Sequence, residues 1–443
     1  MFKEFLKHRY GLTLFGYLTA AAITGVACVL FMLGFDAVIY ERLDFWHIGY
    51  WAWLTTPILF IISVTMIRWL APCAAGAGIP QAVFAAEHAT VHNQHKLAPL
   101  TSFKTLVVKI LALYIAIWAG ASTGREGPTV HVAACVFVGI LLLFRRFLGL
   151  NFDMKSAVVA GGAAGLAAAF NTPLAGVTFA IEELMPEYFG SIKDVVLMSI
   201  IIAAIAAKTF TGDYTYFGKL ADPPAIRLDA ILAVSVFSGL AGILFAAALL
   251  NGRRVLSLFY SRRSQIILIV ILSFALLGLA TISGPNVLGP GNEAAQRLVN
   301  GDYDNWVFIF PWTKMGATLF TYWSGIAGGI FAPSLSMGAA LGANMGHWLN
   351  APISACAMIG MAAFLSGAIQ APMTAFVIIF EMTGHHQMLL PIMLAALIAY
   401  LLARLMGTRN LYHSLADSYR YLLETPPTVA APATKTPPTP PAN

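Results

Sequence analysis

The sequence predicts an all-α protein built into a membrane, and three observations predict it. Of 443 residues, 59% are hydrophobic and only 10% are charged, whereas a water-soluble chain carries about 25% charged residues. The mean hydropathy is +0.77. Several apolar stretches reach the roughly 20 residues that a helix needs to cross a bilayer, and a helix satisfies its own backbone where no water can.

The elements follow in chain order. Residues 1–35 start with Lys3, Lys7 and Arg9 and continue as an apolar run without a small-residue cleavage site, which reads as a retained first membrane helix. Residues 12–35, 49–70 and 231–250 are able to span. Segments 71–80, 119–128, 157–173, 325–333 and 360–372 are short or broken by Gly and Pro. Broken helices free backbone polar groups that lipid cannot satisfy, so they line cavities, as in transporters. Further basic residues cluster between apolar runs: Lys96 and Lys104, Arg145 and Arg146, and Arg253, Arg254, Arg262 and Arg263. These clusters read as cytoplasmic loops of a multi-pass protein with both termini in the cytoplasm; the membrane expected for it is a bacterial inner membrane, which the clusters themselves do not specify. They form no single stripe, so the net charge of +6 does not indicate a nucleic-acid partner. Cys28, Cys73, Cys135 and Cys356 lie in apolar stretches without CxxC spacing and read as small packing residues, not as a disulfide or metal framework. Residues 425–443 are rich in Pro, Ala and Thr and read as a disordered cytoplasmic tail after a membrane domain over residues 1–424.

The membrane domain contains an internal repeat. The segment from Asn171 to Glu182 resembles that from Gln370 to Glu381, with Pro173 matching Pro372 and Glu182 matching Glu381 at a separation of 199. Gly124 and Pro128 match Gly329 and Pro333 at 205, and Gly76 and Gly78 match Gly289 and Gly291 at 213. The order is kept and the spacing drifts slowly, which points to two halves of about residues 20–215 and 225–412.

Three segments share the form G-x-x-x-P at the start of a helix-like stretch: Gly76 to Pro80, Gly124 to Pro128 and Gly329 to Pro333. Pro fits the first helical turn, where its missing N–H costs nothing. Gly permits the tight turn before it. The remaining first-turn N–H groups have no partners within the helix and carry the positive end of its dipole. Such an end attracts an anion without the tight grip of a full Lys or Arg charge.

In combination and order, these segments resemble the anion-binding motifs of the CLC family of chloride channels and chloride/proton antiporters. Asn171, Pro173 and Gly176, with Asn410, Leu411 and Tyr412, fit the same family, and the resemblance covers about residues 10–420. It implies a fold of two inverted-topology halves with tilted and broken helices, and a homodimer with one pore per subunit. It also implies a secondary-active exchange of chloride for protons, with no cofactor, no metal and no enzymatic step. Its implied anion contacts are Ala77, Gly78, Gly127, Ile330, Phe331 and Tyr412.

Glu126 is the sharpest single residue. An intramembrane carboxylate is costly and usually functional. Ionised, it can occupy an anion site; protonated, it can leave that site to chloride. The alternative is a structural partner for Arg125. The resemblance makes Glu126 the gating glutamate, Glu183 the inner proton-transfer group and Glu182 a neighbour on the proton route. Residues 182 and 183 otherwise read as a carboxylate pair at a wet helix end. An acid at position 183 favours antiport over the alternative, a passive channel of the same fold. Glu381, the repeat partner of Glu182, is expected on the opposite side of the membrane. Ala77 departs from the family pattern, which usually has serine there in chloride-selective members. A fluoride-type site is disfavoured by Tyr412, Glu183 and Pro128. An intramembrane hydrolase using Ser122 or Ser324 with His131 or His347 lacks a supporting motif. His88, His92 and His95 read as loop residues near Lys96 rather than as a metal site.

Overall fold

The computed structural model describes the backbone of residues 2–46, 49–185, 189–212, 215–218, 223–257, 259 and 261–424. The expected tail at 425–443 lies outside the described residues. The first half contains α1 (Phe2–Trp46), α2 (Ala52–Leu70), α3 (Ile79–His88), α4 (Gln94–Leu97), α5 (Phe103–Trp118), α6 (Glu126–Leu148), α7 (Met154–Phe170), α8 (Pro173–Phe179) and α9 (Phe189–Thr211). The second contains α10 (Leu228–Ser257), α11 (Arg262–Ser283), α12 (Asn292–Val299), α13 (Phe310–Trp323), α14 (Phe331–Trp348), α15 (Ile353–Ile369), α16 (Pro372–Thr383) and α17 (Leu389–Leu405). A short α18 (Leu411–Ala416) closes the fold.

Eight helical stretches among the described residues are long and apolar enough to span. The sequence reading singled out three segments as able to span. The difference arises at the basic clusters. Arg262 opens α11, whose N-cap Ser261 accepts a hydrogen bond from the Ser264 N–H. Lys104 lies in the first turn of α5, and Arg145 and Arg146 lie in the last turn of α6. These cations belong to helix ends rather than to free loops, and at a C-terminus they also favour the dipole. The first span, Gly11–Glu41, has 31 residues. At 1.5 Å per residue it exceeds the roughly 30 Å hydrocarbon thickness and has to tilt.

Helices α7 and α15 form the interior of their halves, each packed on the helix before it. Small residues make this approach close. A Cβ on Gly338 of α14 would lie 2.6 Å from the Gly360 carbonyl oxygen of α15, and one on Gly161 of α7 would lie 2.6 Å from Phe137 Cβ of α6. This is how membrane helices associate when lipid removes the hydrophobic drive between them.

The two halves are inverted relative to each other. Glu182, just past α8, accepts hydrogen bonds from the N–H groups of Met373 (2.9 Å) and Thr374 (2.7 Å) at the start of α16. Glu381, near the end of α16, accepts from Leu174 (3.1 Å) and Ala175 (2.8 Å) at the start of α8. Each helix therefore ends where the other begins, so the pair is antiparallel. The two carboxylates sit about 13 Å apart along the pair, given 1.5 Å per residue.

Candidate functional site

The three G-x-x-x-P segments meet in the interior. Gly124 and Gly329 exchange backbone hydrogen bonds (2.8 and 3.0 Å), and Gly76 bonds to Ile326 (3.0 Å) and Gly328 (3.1 Å). Gly78 holds φ at 98° as the N-cap of α3, a conformation in which other residues are strained. A Cβ there would also fall 2.6 Å from the Gly127 carbonyl oxygen, and one on Gly127 would strike the Ala77 carbonyl oxygen. A Cβ on Gly329 would lie 3.1 Å from the Gly127 nitrogen. Ala77, Gly78, Gly127 and the Ile330–Phe331 start of α14 thus share one close junction.

The first segment is held by groups that the sequence reading did not single out. Buried Gln81 donates to the carbonyls of Cys73 (3.0 Å) and Ala75 (2.6 Å). Fully buried Lys109 of α5 donates to those of Ala74 (3.0 Å) and Gly76 (3.0 Å). In a planar trans peptide the next N–H points opposite to the carbonyl. Tying back the Gly76 carbonyl therefore turns the Ala77 N–H toward the other side. The second half repeats the device: Lys314 of α13 donates to Val287 (2.9 Å) and Gly289 (2.6 Å). Lys109 and Lys314 stand 205 residues apart, and their carbonyl targets 213 apart, the separations of the two upstream motif pairs.

Glu126 is fully buried in the first turn of α6. Its Oε1 accepts from the Tyr216 hydroxyl (3.3 Å), and Oε2 has no hydrogen-bond partner. A Cβ on Gly124 would meet both that Oε2 and Ala332 in the first turn of α14, so the carboxylate lies at the helix-start junction. Arg125 forms its ion pair with Asp36, and the hydrogen bond that Glu126 accepts comes from Tyr216. Tyr216, from the segment before α10, was not legible as a contact 90 residues away. Its ring packs against Phe170, which also touches Phe331.

Glu183 is also fully buried, not at a wet helix end. It lies in a π-helical turn, Ala180–Leu184, that extends α8; such turns are frequent at functional sites. Asn410 donates to its Oε1 (2.9 Å) and, as N-cap of α18, accepts from the His413 N–H (3.2 Å). One amide therefore orders both the glutamate and the helix that carries Tyr412. The Tyr412 hydroxyl is buried without a hydrogen-bond partner. Neighbouring positions on a helix point about 100° apart, which separates Glu182 from Glu183. Glu182, expected as a neighbour on the proton route, caps α16 through both of its oxygens. Glu182→Gln should therefore lower stability by about 1–3 kcal/mol, and Glu381→Gln should do the same for α8. Thermal unfolding in detergent checks this, and wild-type melting of both variants would contradict it.

Outside the eight spans, His413 Nδ1 lies 2.6 Å from Glu87 Oε1, and its Nε2 lies 3.9 Å from Glu183 Oε2. Burial opposes charge on Glu87, but the bond and charge of His413, with His88 and Lys155 nearby, hold its carboxyl below the usual range. Burial likewise opposes charge on His413, but the Glu87 bond and the charges of Glu183, Glu87 and Asp417 raise its imidazole above the usual value.

The serines of the hydrolase alternative are engaged elsewhere. Ser122 Oγ bonds Thr318 Oγ1 (2.9 Å) and Ser324 Oγ bonds the Thr321 carbonyl (2.7 Å), while His131 faces the Leu100 carbonyl (2.6 Å).

An inverted-repeat membrane bundle whose broken helices start together around a buried carboxylate defines an ion-transporter scaffold. The family described as voltage gated chloride channel matches residues 58–404. An H(+)/Cl(-) exchange transporter, ClcA, of Citrobacter koseri is 31% identical over 380 residues, covering 82% of this chain and 78% of that protein. The ClcA exchange transporter of Salmonella paratyphi B is 31% identical over 389 residues, covering 82% and 79%. The chain belongs to the voltage-gated chloride channel, or CLC, family. A slow cyanobacterial Cl-/H+ antiporter shares its fold with a TM-score of 0.79 at 24% identity, covering 93% of this chain and 98% of that one.

Proposed function

We propose that this multi-pass membrane protein is a secondary-active antiporter that exchanges chloride for protons. Chloride binds among the helix starts at Ala77, Gly78, Gly127, Ile330 and Phe331, with Tyr412 as the side-chain donor. Ala77 brings no hydroxyl, so backbone N–H groups and Tyr412 carry recognition. The observation that carries the reading is Glu126: a fully buried carboxylate at that junction, with one oxygen unpartnered and Arg125 engaged by Asp36. An anionic side chain there competes with chloride for the same N–H groups, and a proton removes its claim. Glu183 is the proton-transfer group of the other face, and the two routes part between it and Glu126. The proposal includes a homodimer in a bacterial inner membrane with the Glu183 face cytoplasmic. The exposed apolar residues Leu174, Ile201, Ile205 and Leu401 supply surface for lipid or a second copy.

Purified protein in liposomes tests the assignment of Glu183. Glu183→Gln is expected to keep chloride efflux and to lower proton movement by at least about tenfold. Unchanged proton movement in that variant would remove Glu183 from the mechanism.

A further inference from the structure

Glu183 is fully buried, so a proton that reaches it from solution needs a carrier. The fold supplies a line of three titratable side chains. Glu87 is 36% exposed, His413 is 31% exposed and Glu183 is 0% exposed. Glu87 and His413 are joined at 2.6 Å, and His413 Nε2 stands 3.9 Å from Glu183 Oε2. That oxygen is buried and has no hydrogen-bond partner. The other oxygen of Glu183 is held by Asn410, so the free one is left on the side of His413. We infer that Glu87 and His413 form a proton relay that loads Glu183 from the solution on its side of the membrane.

The inference rests on the proposed exchange activity and extends it. The 3.9 Å gap closes to hydrogen-bond length with a shift of about 1 Å, or is bridged by one water. The steps balance as follows. A proton from solution binds the Glu87 carboxylate. Glu87 passes it to Nδ1 of the neutral imidazole while the Nε2 proton moves to Glu183 Oε2. Glu87 is again a carboxylate, the ring is neutral with its proton on Nδ1, and Glu183 is neutral. The starting tautomer returns when the Nδ1 proton leaves through Glu87 to solution and Nε2 takes a proton from solution by way of the partly exposed ring, so that one solution proton is consumed for each one delivered to Glu183. Histidine suits the role because its two nitrogens accept and donate on opposite sides near neutral pH. The groups that bias it are Glu87 and the flanking His88 of α3, Glu183 of the π-helical turn, Asp417 just after α18, and Lys155 of α7, which acts on Glu87.

The relay also explains a placement. Glu87 ends the same helix that starts at the Gly78 anion segment, and His413 adjoins Tyr412. Each helix therefore carries an anion contact at one position and a proton carrier at another.

Liposome proton uptake driven by a fixed chloride gradient tests the relay. His413→Ala and Glu87→Gln are each expected to lower proton uptake at least about tenfold. Added imidazole, a diffusible carrier, is expected to restore uptake in His413→Ala but not in Glu183→Gln, which lacks the acceptor. Loss through misfolding would not respond to imidazole. Wild-type proton uptake in either variant, or a His413→Ala loss that imidazole leaves unrestored while chloride flux persists, would overturn the relay while leaving exchange intact. Absence of proton movement in the unsubstituted protein would overturn the exchange reading and the relay together.

Discussion

Glu126→Gln is expected to abolish proton coupling while chloride still crosses the membrane. The substitution keeps the shape of the side chain and removes the proton it carries. In the native structure the carboxylate sits at the α6 and α14 starts with Oε2 unpartnered. When ionised, its charge would be held there by helix ends worth about half a positive unit each. An amide has no net charge and competes poorly with chloride for that position. Chloride flux should then lose its dependence on pH, and proton movement should fall at least about tenfold. Paired chloride and proton electrodes on the same liposomes give both numbers. Coupling in Glu126→Gln equal to wild type would exclude Glu126 as the gate.

The second large effect concerns the lysine clasps. Lys109→Met leaves the Ala74 and Gly76 carbonyls without their buried donor. Each lost bond is worth about 1 kcal/mol if neutral and 1.5–3 kcal/mol if charged, so loss of the two is expected to destabilise by about 2–6 kcal/mol. The Gly76 carbonyl orients the Ala77 N–H, so anion affinity should also fall, by about tenfold for each 1.4 kcal/mol lost at the site. Lys314→Met removes the matching pair on Val287 and Gly289. That loop borders a cavity of about 250 Å³ lined in part by the carboxylates of Asp36 and Glu293, a poor setting for an anion. The two variants should therefore melt alike and bind differently, with only Lys109→Met weakened for chloride. Calorimetric chloride titration and thermal unfolding separate the two effects. Equal chloride affinity in wild type and Lys109→Met would contradict the orienting role.

The helix-start motifs were legible because their signal is local. Gly and Pro at fixed spacing announce a tight turn and a helix start, and an acid inside an apolar run announces function. The correspondence of α8 with α16 is written in the 199-residue offset, while their inverted orientation shows only in the contacts of Glu182 and Glu381. What was not legible depends on contacts across the chain. Lys109 and Lys314 look like isolated cations in apolar helices until the fold brings carbonyls to them. Tyr216 reaches Glu126 only after the chain returns. Glu87 and His413 are separated by 326 residues. The capping of α16 by Glu182 was not legible either, because its partners Met373 and Thr374 lie 191 and 192 residues away. Basic residues at 104, 145, 146 and 262 were read as loops because charge alone does not distinguish a loop from the end of a span.

The central claim is that chloride and protons move in exchange through one protein. The most direct measurement uses the unsubstituted protein in liposomes with equal pH on both sides and an imposed chloride gradient. The account predicts that chloride running down its gradient drives protons the opposite way, creating a pH difference, and that reversing the gradient reverses the sign. Chloride equilibration with no proton movement in either direction would contradict it.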